Sequence, residues 1–105
     1  MVEDKLEIIK KACEDKLGEN LEVIKLQNHI IADYFVIVTG SNFNHTKAIV
    51  DEIDQELAKN GYDSNVEGLK GNKWLLVDAG DIIVHVFTED AREYYNLEKL
   101  WEETE

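Results

Sequence analysis

The chain has 105 residues, of which 23 are acidic and 11 basic, for a formal charge of −12 at neutral pH. Gripping RNA or DNA through the protein's own surface needs clustered Lys and Arg to neutralise phosphate, and this balance argues against it. Hydrophobic residues make up 44% of the chain, too many for a disordered acidic tail, and the length suits one compact domain rather than two.

A single cysteine, Cys13, excludes an intramolecular disulfide and any Cys-based zinc or iron–sulfur site, and it points to a reducing compartment. Met1 to Leu17 carries Glu3, Asp4, Glu7, Glu14 and Asp15, so it has neither the apolar core of a signal peptide nor the acid-poor character of a transit peptide. No apolar run approaches the length of a bilayer span. The expectation is a soluble, cytoplasmic protein with no membrane partner.

Val2, Leu6, Ile9, Cys13 and Leu17 recur at helical steps, which predicts one apolar helix face stopped by Gly18, with Cys13 as a small core residue. Leu21 to Leu26 alternates in the manner of a strand. Tyr34 to Thr39 is continuous and rich in aromatic and β-branched residues, the pattern of a central strand covered on both faces. Gly40 to Asn44 supplies a turn and a polar N-cap for a helix carrying Ile49, Val50, Ile53 and Leu57, and Asn60-Gly61 ends it. A short strand over Tyr62 to Glu67 leads to a loop at Gly68 to Asn72. Trp74 to Asp78 and Asp81 to Phe87 flank Ala79-Gly80 and predict an antiparallel hairpin. Thr88 then caps a helix whose first turn holds Glu89 and Asp90 and which continues to Tyr95. Leu97, Leu100 and Trp101 form a last apolar helix face before an acidic, frayed 102–105. This order gives an α/β class: a single domain with a mixed β-sheet of about five strands and flanking helices.

Gly40-Ser41, after a strand and before a helix, is the segment most like a catalytic site, because nucleotidyltransferases place a Gly-Ser turn there beside a metal-holding carboxylate pair. Two carboxylates one residue apart on a strand would share a face, whereas Asp78 and Asp81 bracket a turn. The phosphate-binding loop and dinucleotide fingerprints are absent, and His29, His45 and His85 have no metal-ligand spacing, so neither cofactor nor metal is expected. His85 projects from the face opposite Val84 and Val86, either as a half-buried sheet residue or as an exposed recognition residue. Trp74, His85, Phe87, Tyr94, Tyr95 and Trp101 crowd the final third beside Asp78, Asp81, Glu89 and Asp90. For any one of the aromatics core packing is the better expectation, but the mixture of apolar and acidic groups favours a basic protein partner.

Ile31 to Ser41, Val66-Glu67-Gly68, Trp74, Val77 to Phe87, and Ala91 to Trp101, in this order, resemble the ribosomal silencing factor family, also called Iojap-like. The resemblance implies a nucleotidyltransferase-like fold without catalytic carboxylates and a non-enzymatic role. It implies binding to the large ribosomal subunit at ribosomal protein L-fourteen, a steric block on joining of the small subunit, and repression of translation during nutrient limitation. It also implies frequent homodimers and, in some relatives, a part in large-subunit assembly. On this basis Trp74, Leu75, Asp78, Asp81, His85, Phe87, Tyr94, Tyr95, Leu97 and Trp101 are the expected contact residues, with Trp74 and Leu75 as apolar anchors and the acids facing basic groups of the partner. The Asn42-Phe43-Asn44 loop, where relatives are commonly more basic, and the brief N-terminal helix depart from the pattern.

Overall fold

A computed structural model describes residues 2–26, 32–69 and 74–95. Helix α1 spans Val2–Asp15, strand β1 Glu19–Lys25, β2 Tyr34–Gly40, helix α2 Phe43–Lys59, β3 Asn65–Leu69, β4 Trp74–Asp78, β5 Ile82–Thr88 and helix α3 Glu89–Tyr95. The five strands form one sheet in the order β1-β2-β5-β4-β3. Only β2 and β5 pair in parallel; β1 with β2, β4 with β5 and β3 with β4 are antiparallel. The middle of the sheet is β5, and β2 lies beside it as an interior strand, as its pattern predicts.

Alternation along β2 and β5 sorts the core into two layers. Val36, Val38, Val84 and Val86 point toward α1 and α2, where Ile9, Cys13, Ile49, Ile53 and Leu57 meet them. Ile37 and Phe87 point the other way and pack with Ala91 of α3 and Trp74. Both faces of β2 are covered, as its continuous apolar run predicts.

Helix boundaries follow their caps. Asn42 accepts a hydrogen bond from the His45 amide at 2.9 Å and opens α2, and Gly61, at φ 82°, follows its end. At the end of α1 the roles differ from expectation. Leu17, placed by periodicity in the apolar stripe, instead takes the left-handed turn at φ 59° and is 78% exposed. Gly18 is needed for a different reason: a Cβ there would lie 2.6 Å from Cγ2 of Val38. Strand β3 begins later than the pattern suggests because the preceding residues are already engaged. The Tyr62 amide bonds to the Leu57 carbonyl at 2.9 Å, and the Ser64 hydroxyl bonds to Asp54. The final helix expected around Leu97 to Trp101 and the frayed 102–105 lie outside the described residues.

Candidate partner-binding face

The β4–β5 hairpin builds the candidate face. Its turn is stabilised locally: the Gly80 amide donates to Asp78 Oδ1 at 2.9 Å, and the Ala79 amide to the Ile82 carbonyl at 2.9 Å. The register sets Trp74 opposite Phe87 and Leu76 opposite His85. His85 thus lies on the face away from α1 and α2, in the middle strand, with Ile37 of β2 as its parallel neighbour.

Four rings form a cluster there. Phe35 and His85 meet edge-on with centroids 4.6 Å apart, Trp74 and Phe87 lie 5.2 Å apart, and His85 and Phe87 are nearly parallel at 6.4 Å. The Trp74 indole N–H donates to Nδ1 of His85 at 3.0 Å. Burial lowers the His85 pKa to about 4, so the ring is neutral at neutral pH. With Nδ1 accepting, the proton of the neutral ring resides on Nε2. That nitrogen is buried without a hydrogen-bond partner among the described residues, an arrangement that costs about 1–3 kcal/mol in a protein interior.

The expected contact residues do not form one patch. Trp74 is half-buried on the aromatic face. Leu75, its neighbour in an extended strand, faces the opposite side, 7% exposed, beneath a groove lined by Phe43, Lys47, Val50, Asp51, Val66 and Gly68. His85 is 4% exposed and Phe87 0%, so neither presents a surface of its own. Asp78 and Asp81 lie at the far end of the hairpin from Trp74, about 13 Å along the strand. Asp81 is held by Lys5 at 3.0 Å, and Lys5 also donates to the Ala79 carbonyl. The acids that follow β5 at the Trp74 end are instead Glu89 and Asp90, exposed in the first turn of α3, while Glu67 is exposed opposite Leu76 in the middle of β4. Tyr94 and Tyr95 close the backbone of α3, and Leu97 and Trp101 lie outside the described residues.

The Gly40-Ser41 turn is occupied by the fold's own bonds. The Ser41 amide donates to Nδ1 of His45 at 2.8 Å, the Ser41 hydroxyl lies 3.1 Å from the same nitrogen, and Nε2 of His45 is 2.6 Å from the Lys16 carbonyl. One imidazole thereby ties the end of α1 to the start of α2. The single lone pair at Nδ1 is already shared with a backbone amide, which leaves it a poor base for Ser41. The Ser41-to-His45 spacing is visible in the sequence, but Lys16 is not. Nor does the sequence reveal that Arg92 of α3 reaches both the Asn20 carbonyl and Oγ1 of Thr39. No cluster of three or more His, Cys, Asp or Glu side chains among the described residues is arranged to hold a metal ion. No helix there is long and apolar enough to cross a membrane.

The full chain, residues 1–105, matches the family model described as ribosomal silencing factor during starvation. A protein of Bacillus subtilis named ribosomal silencing factor RsfS is 42% identical over 98 residues, covering 91% of this chain and 83% of its own. A mouse protein named for mitochondrial assembly of the ribosomal large subunit is 36% identical over 73 residues, 66% of this chain and 32% of its own. A crystal structure from Chromobacterium violaceum superposes with a TM-score of 0.91 at 28% identity, covering 97% of this chain and 87% of that one.

Proposed function

Because the chain belongs to the ribosomal silencing factor family, we propose that it binds the large ribosomal subunit at ribosomal protein L-fourteen and, by its bulk, prevents the small subunit from joining. The observation that carries this reading to a surface is Trp74: a partly exposed indole on a sheet face, hydrogen-bonded to His85 beneath it, with exposed acids at Glu67 on the neighbouring strand and at Glu89 and Asp90 just after the strand that pairs with it. A basic protein surface complements that arrangement, with an aromatic anchor at the centre and opposite charges at the rim. No turnover is needed. Repression in the cytoplasm under nutrient limitation follows if the bound complex is incompatible with the joined ribosome, because binding then shifts the population toward free subunits.

The test is co-sedimentation with purified large subunits, followed by subunit joining in excess protein. The protein should migrate with the large subunit and reduce joining. If it stays at the top of the gradient and joining is unaffected, the reading is wrong. Trp74→Ala should weaken binding by about 2 kcal/mol or more, roughly 30-fold. The free protein forms a homodimer in this reading, and sedimentation that shows a monomer at every concentration refutes that part.

The mouse relative's name favours a second reading, a factor acting during assembly of the large subunit. Affinity for precursor particles well above that for mature subunits would select it. A nucleotide-handling enzyme built on Ser41 is the remaining rival; it requires saturable nucleotide and divalent-metal binding that Ser41→Ala or Asp81→Asn abolishes, and calorimetry reads this directly.

A further inference from the structure

We propose that His85 is a positioning residue for partner binding: its buried Nδ1 accepts the Trp74 indole N–H and holds the indole in the pose in which the face meets a partner. The proposal rests on the reading that Trp74 is a contact residue and adds how its orientation is set.

A half-exposed indole can rotate about two side-chain torsions, and a mobile anchor loses conformational entropy when a partner immobilises it. Here both torsions are constrained before binding. The ring leans on Phe87 at 5.2 Å, and its only hydrogen-bond donor points inward to His85 at 3.0 Å. His85 is itself confined on all sides: it is 4% exposed, set edge-on against Phe35 at 4.6 Å and placed in the middle strand of the sheet. Placing an imidazole there leaves Nε2 without a partner among the described residues. A phenylalanine would fill the same space with no unpaired polar atom, so the imidazole is unfavourable for packing alone. What it adds over an apolar ring is one acceptor aimed at one donor, and that donor belongs to Trp74. Nδ1 can accept only while unprotonated, which places the ring proton on Nε2.

The whole chain, labelled with nitrogen-15, provides the test. In the wild-type protein, the imidazole nitrogen shifts of His85 should report the neutral form with the proton on Nε2, and the Trp74 indole proton, assigned by its loss in Trp74→Phe, should exchange slowly with water. The proton on Nδ1 would overturn the proposal. His85→Phe keeps ring volume but removes the acceptor, whereas His85→Asn keeps an acceptor oxygen near the Nδ1 position. His85→Phe should melt cooperatively, speed indole exchange and weaken binding to purified large subunits about tenfold. His85→Asn, measured where it is folded, should recover slow indole exchange and bind more tightly than His85→Phe. A purely structural His85 would give the opposite order, because Phe preserves packing better than Asn. If Trp74→Ala loses binding while His85→Phe binds like wild type, the positioning role falls and the contact stands. If Trp74→Ala binds like wild type, the contact falls, and the positioning role falls with it.

Discussion

At the scale of single residues, burial decides chemistry. His85 has its pKa lowered to about 4 by desolvation, against 6.5 for the exposed ring. The folded state therefore disfavours the charged form. Above pH 6.5 neither state binds the proton and His85 has no effect on the pH dependence. As pH falls from 6.5 toward 4, the unfolded chain takes up a proton that the folded chain refuses, and stability drops by up to roughly 3 kcal/mol before levelling off. Denaturant unfolding at a series of pH values should show this loss, and His85→Phe should remove it. Cys13 illustrates the same physics with the opposite sign. Burial, aided by Glu14, pushes its thiol up to about 12, so a thiol reagent at neutral pH should modify it only through opening of the structure around α1 and far more slowly than an exposed cysteine. Gly18→Ala is expected to cost about 1–3 kcal/mol by thermal or chemical melting, since the added methyl meets Val38 at 2.6 Å and neither the sheet nor α1 can withdraw freely.

At the scale of elements, most of the architecture was legible because local signals agreed. The polar Asn42 cap, the apolar stripe of α2 and the Asn60-Gly61 stop place one helix, and the period-two pattern around Ala79-Gly80 places one hairpin. Replacing Asn42 with Ala removes the acceptor for the His45 amide and should cost about 1 kcal/mol in a denaturant melt. Signals failed where a single residue could serve two purposes. Leu17 fits the helical period of α1 but lies one turn too late, where the chain must reverse into β1, and so it becomes exposed. Trp74 and Leu75, adjacent and both apolar, look like one anchor pair in the sequence; strand geometry sends them to opposite faces. Asp78 and Asp81 look close to the aromatic cluster, yet the length of β4 carries them to the other end of the hairpin, where Asp81 pairs with Lys5.

At the scale of the whole molecule, the charge of −12 acquires a directional meaning. An acidic domain can work on a ribosome if its target is a basic protein surface, and repulsion from surrounding RNA then limits where it can dock. Binding to the large subunit should weaken as salt rises, because complementary charges at the rim are screened. The slope of log affinity against log salt should stay shallower than that of a protein releasing counterions from many phosphates. A steep, RNA-like slope in gradient or interferometry measurements would place the contact on nucleic acid instead.

The sequence by itself determined the α/β class, the order of the described elements, the buried character of β2 and the family, because each is written in local periodicity, caps and contiguous wording. Tertiary structure alone decided which residues share a surface. Strand order puts β5 in the middle, register brings His85 under Trp74, and Lys16, Ser41 and His45 converge across 29 residues of chain. Local pattern is a property of neighbours in the chain, whereas a contact face is made by pairing between strands that lie far apart in it. A run of matching residues can therefore name a family correctly and still place half of its expected contacts beneath the surface or at the other end of a strand.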